Sequence, residues 1–441
     1  MYHSLYVICV NNKKIINNIF WLFVDKILKL FFGLLVFVLL ARHFGPETFG
    51  TFNFAISLYS VFLMFSSFGL SGIVVRELLK KSSINIDVLN SAFLLRVIFS
   101  LVSYSLLITV VIFLRPDDYL VQSLVFVIGF IIILQSFDVI KLWFESEVKS
   151  KPVVIIECAF FTLFSILKIL FILTEMNIVF IGYLMVAEIL FVSIGLYVLF
   201  LRKVGRLNFF NFDMKILKYL FYESWPLAVS TVSWVLYTRV DQLMIGQLLT
   251  DEDVGHYSAA SRLSEVVNFI PMIFVFSIIP AITKLKNSDF SEYNKRFQFL
   301  YDLTVGLMMF LAIITALSSY KIIEILYGFD YLSSVSVLKI HIWSTLFIAM
   351  SAVSGRYLIN EGLQKITMLR HLAGVVLNIP LNFLLIPVLG IDGAAVSSLF
   401  VLFMTCYIFD YFHFKTRICF NHKSKAIFFI NTVKFLFRVR S

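Results

Sequence analysis

The sequence predicts an all-α integral membrane protein with about twelve transmembrane helices in two six-helix lobes. Three observations predict it. Of 441 residues, 60% are hydrophobic and only 15% are charged, against roughly 45–50% and about 25% in soluble globular domains. The apolar residues fall in runs long enough to cross a bilayer, without the period-two alternation of half-buried strands. A short motif also recurs once, about halfway along the chain. With a mean hydropathy of +0.93, the chain has too little polar surface to cover one water-soluble core. That excludes a soluble enzyme.

The runs, taken in order, cover 15–41, 51–70, 89–114, 120–143, 153–173, 178–201, 220–249, 257–282, 297–319, 335–358, 367–389 and 391–414. Each is long enough to cross ~30 Å of hydrocarbon as a helix. The connections between them alternate in charge. One set carries Arg76, Lys80 and Lys81, then Lys149 and Lys151, then Arg202, Lys203 and Arg206, then Lys284 and Lys286, then Lys365. The other set is turn-rich or acidic, as in Gly45-Pro46-Glu47, Pro116-Asp117-Asp118, Thr174-Glu175 and Thr250 to Asp253. Basic connections stay on the cytoplasmic side, so both termini are expected there.

This topology divides the chain into a cytoplasmic N-terminus (1–14), an N-lobe with spans one to six (15–203), a cytoplasmic linker (204–219), a C-lobe with spans seven to twelve (220–414) and a basic cytoplasmic tail (415–441). Within the tail, the apolar stretch 426–437 reads as an amphipathic helix on the anionic inner leaflet. The net charge of +10 follows from the same cytoplasmic bias, and no nucleic-acid partner is expected. The four cysteines, Cys9, Cys158, Cys406 and Cys419, have no metal-ligand or CxxC spacing, so neither a disulfide framework nor a metal site is expected. No cleavable signal peptide is expected, because Leu5–Val10 is too short an apolar region and Asn11 to Lys14 follow it directly.

The recurring motif joins the two halves. Glu47, Gly50, Phe52 and Ala55 have counterparts in Glu252, Gly255, Tyr257 and Ala260. The first segment follows span one and the second follows span seven. The chain therefore reads as two six-span repeats in the same orientation, an arrangement in which substrate sites lie between the halves. Pro226, Pro271 and Pro280 remove backbone hydrogen bonds in or near helices and are candidate bending points.

Several segments together resemble one family. The stretch Ala41-Arg42-His43-Phe44-Gly45-Pro46-Glu47-Thr48-Phe49-Gly50 is similar to the "AR-x-LGP-x-x-FG" signature of bacterial polysaccharide flippases of the Wzx type. These belong to the MOP (multidrug/oligosaccharidyl-lipid/polysaccharide) exporter superfamily. Ser71 to Glu77, Asp241 to Gly246, Val254 to Ala260, Ile279-Pro280-Ala281, Asn378 to Asn382 and Gly390 to Ala395 agree with the same family. The resemblance covers residues 12–414. His43-Phe44 departs from the commoner aromatic-Leu pair. The resemblance implies a MOP/MATE-like fold and export of undecaprenyl-diphosphate-linked O-antigen or polysaccharide repeat units by alternating access. It also implies coupling to protons or sodium, with no other cofactor.

Charged side chains inside spans are costly, at ~2.5–3.5 kcal/mol each on insertion scales, so each needs a reason. Those inside the runs include Asp25, Lys26, Lys29, Arg96, Asp138, Glu157, Lys168, Glu188, Arg239, Asp241, Arg262 and Glu265. At ~1.5 Å per residue, Arg239 lies ~15 Å and Arg262 ~10 Å below the outer face, so they can share one level. Asp25 with Lys29, and Arg262 with Glu265, are spaced to pair on one helix face. One reading makes these pairs structural. The other makes the basic residues a cationic site for a lipid diphosphate, since Arg binds phosphate oxygens bidentately.

The candidate substrate-binding residues are accordingly Lys26, Lys29, Arg96, Arg239 and Arg262, with Tyr237 to stack on a sugar. The ion-coupling candidates are Asp25, Asp138, Asp241 and Glu265. Lys141 and Arg356 sit near the inner ends of spans, where snorkelling accounts for them. No catalytic residue is expected, and the chain has no GxxxxGK[ST] loop for nucleotide hydrolysis. The expected partners are a lipid-linked oligosaccharide, membrane lipids and the polysaccharide polymerase and chain-length machinery. A multidrug cation antiporter and a lipid II flippase are the alternatives. A membrane O-antigen polymerase would need a longer outer connection than Thr174 to Asn177 or Thr250 to Val254.

Overall fold

The computed structural model describes residues 2–80, 86–174, 177–207, 212–286 and 288–428. These residues are helical with short connections, and there is no strand among them. The chain divides into two compact units, Met1–Val235 and Leu236–Ser441. Lys81, Glu175 and the tail beyond residue 428, with most of the expected leaflet helix, lie outside the described residues.

In the first unit, α1 (Tyr2–Ser67) carries the first two expected spans, joined at a kink where Gly45 has φ 72° and precedes Pro46. Only glycine enters that left-handed region freely, and proline starts the next helix without needing its missing N–H. A second reversal at Phe68 and Gly69, both with positive φ, leads into α2 (Leu70–Lys80). Then come α3 (Ile86–Leu114), α4 (Tyr119–Gly129), α5 (Ile131–Leu134), a 3₁₀ turn (Gln135–Asp138), α6 (Val139–Ser146), α7 (Lys151–Ile172) and α8 (Ile178–Lys203). Helices α4 to α6 together fill the fourth expected span. The helix α9 (Met214–Leu248) runs across the division at Val235.

The second unit continues with α10 (Asp251–Val267), α11 (Phe269–Leu285), α12 (Phe290–Tyr327), α13 (Ser334–His341), α14 (Ser344–Asn360), α15 (Gln364–Leu389), α16 (Ile391–Phe403), a π turn (Met404–Ile408), α17 (Phe409–Phe412) and α18 (Arg417–Ile427). The eighth, tenth and twelfth expected spans are thus each built from two helices. Pro271 falls in the first turn of α11, just past the break at Asn268, where its missing N–H costs nothing. By length and composition alone, nine of the described helices or helix pairs can cross a membrane.

Helix α3 explains why these helices need lipid outside. Ile98, Leu101, Val102, Leu106 and Phe113 are exposed, Phe113 at 84%, while Ser91, Arg96, Ser100 and Ser103 are buried. Apolar surface turned outward and polar groups turned inward suit hydrocarbon surroundings, because each buried hydroxyl or guanidinium needs a protein partner. Leu317 on α12 and Val388 on α15 are likewise exposed, at 83% and 77%.

The tail begins with a helix that packs against the protein, ahead of the expected leaflet segment. In α18, Cys419, His422, Lys423 and Ala426 are buried on one face, and the helix packs against α12. Lys423 belongs to the basic tail, but it is not solvated. Instead its ammonium bonds the Asp410 carboxylate at 2.5 Å and the Cys406 carbonyl at 2.6 Å, with both charged side chains fully buried. His422 sits beside it, its Nδ1 2.5 Å from the Gln298 side-chain oxygen and its ring stacked on Tyr301.

Burial, with the Lys425 charge adding to it, pushes the His422 imidazole down to about 4 from 6.5. A depressed histidine is neutral in the folded state. The unfolded form therefore binds the extra proton between pH 6.5 and 4, so docking of α18 is complete above that window and weakens as pH falls through it. The other groups facing His422 are Tyr301 and, through Gln298, Asp302. Hydrogen exchange of the α18 amides should therefore speed up, beyond the intrinsic pH effect, between pH 6.5 and 4. A His422→Gln protein should lose most of that dependence.

Candidate functional site

Five charged side chains link α1, the 3₁₀ turn, α6 and α7 in the first unit. Lys29 bonds Asp25 at 2.7 Å and also Glu157. Lys141 bonds Glu157 at 2.6 Å and Asp138 at 2.9 Å. The Cys158 thiol donates toward Asp25. The i,i+4 spacing of Asp25 and Lys29 makes the first pair local. The rest depends on α7 bringing Glu157 between two lysines. Lys141 is therefore not a snorkelling residue: it is held inward by two carboxylates. Lys26, by contrast, is exposed, as are Phe23 and Ile27 beside it.

Arg96 lies apart from that chain of ion pairs. Its side chain is buried, with one amine donating to the Gln135 carbonyl at 3.3 Å and the other to the Ser71 hydroxyl at 3.1 Å. The carbonyl is available because the α-helical ladder breaks into a 3₁₀ turn at Gln135. The guanidinium Nε has no partner. Arg96 borders a cavity of about 420 Å³ that Ser71, Ser100, Gln135, Asp138 and Thr231 also line. Further out, Lys168 and Glu188 form a buried pair at 2.6 Å that ties α7 to α8.

In the second unit, Arg239 of α9 and Arg262 of α10 both reach Glu265, at 2.9 and 3.2 Å. The depth count that puts the two arginines at one level agrees with this shared carboxylate. Their side chains are 27% and 38% exposed. Asp241, two residues from Arg239, is 2% exposed. It accepts from Asn378 at 3.1 Å, Asn382 at 2.6 Å and Tyr257 at 2.8 Å, and from Ser398. These neutral donors come from α15, α10 and α16, and Asp241 has no ion pair among the described residues.

Tyr237 is 2% exposed. Gly374 of α15 presents no side chain to its ring, and a Cβ there would come within 2.9 Å of it. Tyr237 is thus a packing residue and does not offer a face to a sugar. The sequence reading missed Arg370, whose guanidinium is buried on Ser351 and Ser354. It also missed Asn378 and Asn382 as partners of Asp241, although it had quoted both for the family resemblance.

A family model described as "Polysaccharide biosynthesis protein" matches residues 15–286, more than half of the chain. The chain belongs to that family. A second model, described as MatE, matches residues 226–384 of this polysaccharide biosynthesis family member. A Shigella flexneri protein described as "Putative O-antigen transporter" is 23% identical over 215 residues, 48% of this chain. The match spans 50% of that relative's own length.

Among solved structures, the lipid II flippase MurJ in an inward closed conformation superposes with a TM-score of 0.70. It is 16% identical, and the superposition covers 96% of this chain and 93% of that one. An inward-facing multidrug resistance MATE family transporter of the MOP superfamily gives a TM-score of 0.66 at 11% identity, covering 92% and 95%. The polysaccharide biosynthesis family chain therefore has the MOP-superfamily transporter fold, all-α and multi-pass, as its motifs imply.

Proposed function

We propose that the chain is a flippase for undecaprenyl-diphosphate-linked oligosaccharides, the repeat units of an O-antigen or related polysaccharide. It would carry them from the inner to the outer leaflet of the bacterial inner membrane by alternating access, with both termini cytoplasmic. Residues 15–203 and 220–414 would be its lobes and 204–219 their linker. Polymerase and chain-length machinery would receive the product.

The observation that carries this reading is the shared carboxylate of Arg239 and Arg262 in a chain of this family. Both guanidiniums reach Glu265, and both remain partly exposed. A diphosphate can take the place of Glu265 on both, with two planar forks meeting several oxygens. Asp241 suits ion coupling. It is a buried carboxylate held by hydrogen-bond donors from three helices, α10, α15 and α16, so a cation binding there would bear on all three. Asp25, Asp138 and Glu265 are already ion-paired, which leaves Asp241 as the strongest of the four coupling candidates.

The test is deletion in a polysaccharide-producing host. The expected result is loss of surface polymer with lipid-linked oligosaccharide retained on the cytoplasmic leaflet. Losing a charge-assisted hydrogen bond costs about 1.5–3 kcal/mol. Arg239→Ala or Arg262→Ala should therefore lower complementation roughly ten- to hundredfold while the protein stays in the membrane. Unchanged surface polymer in the deletion strain rejects the proposal. The likeness to the lipid II flippase favours a second reading, and accumulation of lipid II instead of lipid-linked oligosaccharide would select it.

A further inference from the structure

The Arg96 cavity in the first unit carries an inference about what part of the substrate this chain holds, and it rests on the transport reading above. Arg96 and Asp138 stand on its wall as opposite charges. Asp138 is itself bound to Lys141, which shares Glu157 with Lys29, which shares Asp25. With Arg96 included, three cations and three carboxylates balance. An oxyanion entering the cavity would meet Asp138, and a cation would meet Arg96, so neither finds a net opposite charge.

The wall is mostly apolar but carries several hydrogen-bonding groups. Arg96 contributes its guanidinium. Gln135 adds an amide. Ser66, Ser67 and Thr231 also border the cavity. Their hydroxyls donate to carbonyls of their own helices, which leaves their lone pairs as acceptors. Leu63, Met64 and Leu227 supply apolar surface. Planar donor and acceptor groups next to an apolar wall match a ring that carries neighbouring hydroxyls on its edge and C–H bonds on its face. A volume of about 420 Å³ is at the small end of ligand pockets, which run roughly 300–1,000 Å³.

We infer that this cavity is a subsite for one uncharged sugar ring, with Arg96 and Asp138 hydrogen-bonding its hydroxyls. It is separate from the arginine pair assigned to the diphosphate. The chain would thus read its cargo at two chemically different places, one electrostatic and one by neutral hydrogen bonding.

The experiment uses the full chain in lipid nanodiscs and saturation-transfer NMR. The probes are methyl α-D-glucopyranoside, methyl α-D-galactopyranoside and methyl N-acetyl-α-D-glucosaminide as neutral rings, with D-glucuronate as the charged one. Gly72 borders the cavity, and a Cβ there meets no atom within 4 Å. Gly72→Leu therefore fills the space and leaves Arg96 in place, while Gly72→Ala is the matched control.

The expected result is binding of at least one neutral glycoside to the wild type and to Gly72→Ala. Affinity should fall tenfold or more in Gly72→Leu and in Arg96→Gln, and glucuronate should bind no better than the neutral ring. Equal binding by wild type and Gly72→Leu, no neutral glycoside bound, or tenfold tighter glucuronate each overturns the inference. Export and binding are read separately. Lost surface polymer on deletion without glycoside binding leaves the transport reading and removes the subsite. Glycoside binding with normal surface polymer does the reverse.

Discussion

Gly69→Ala is expected to destabilise the first unit by about 2–5 kcal/mol, whereas Gly72→Ala, three residues on, should be nearly neutral. Two costs add at Gly69. Its φ of +64° lies in the left-handed region, which costs an L-residue about 1–2 kcal/mol. A Cβ there would also stand 2.7 Å from the Ala228 backbone nitrogen and 2.9 Å from the Leu227 carbonyl carbon. Those are main-chain atoms of α9, so no rotamer change relieves the contact and the helix itself must shift. Overpacking of this kind costs about 1–3 kcal/mol. At roughly 2–4 °C per kcal/mol for a unit of this size, Gly69→Ala should lower the midpoint of thermal unfolding by ~4–20 °C in a fluorescence size-exclusion assay. Equal midpoints for the two alanine variants would show that α2 and α9 do not approach through Gly69.

That close approach also marks the limit of what the sequence discloses. Hydropathy locates the helices, since a run long enough to span has few other uses, and local spacing locates Asp25–Lys29 and Arg262–Glu265. Depth counting further brings Arg239 to the level of Arg262, because helix rise is fixed. What it cannot supply is lateral contact between distant segments. Glu157 on Lys29, Asn382 on Asp241 and Gly69 against Ala228 each join positions more than a hundred residues apart. Lys141 departs from the snorkelling expectation for one reason: position near a span end says nothing about a carboxylate on another helix, just as position within a basic tail says nothing about Asp410 beside Lys423. Tyr237 was misassigned because an aromatic at a suitable depth can face either a cavity or a neighbouring glycine. Only α15 decides between them.

The buried pair of Lys423 and Asp410 leads to the other large expected effect. Both side chains are 0% exposed, and the ammonium also bonds the Cys406 carbonyl in the π turn, where the wider winding changes the backbone pairing. Lys423→Met removes the cation and leaves Asp410 buried without it. Breaking such a pair on one side costs about 3–5 kcal/mol, because the remaining charge has lost both water and partner. Replacing the pair as a whole by apolar groups of similar volume is often neutral. Lys423→Met with Asp410→Leu should therefore recover most of what Lys423→Met alone loses. The measurement is hydrogen exchange over residues 417–427, read against α12. The single variant should release α18 from α12, and the double variant should restore much of its protection. If the single variant kept α18 fully protected, or the double variant were no better than the single, the ion pair would not be what docks this helix. The Cys419 and Ala426 contacts of the same face and the His422 contacts with Gln298 and Tyr301 would then hold it.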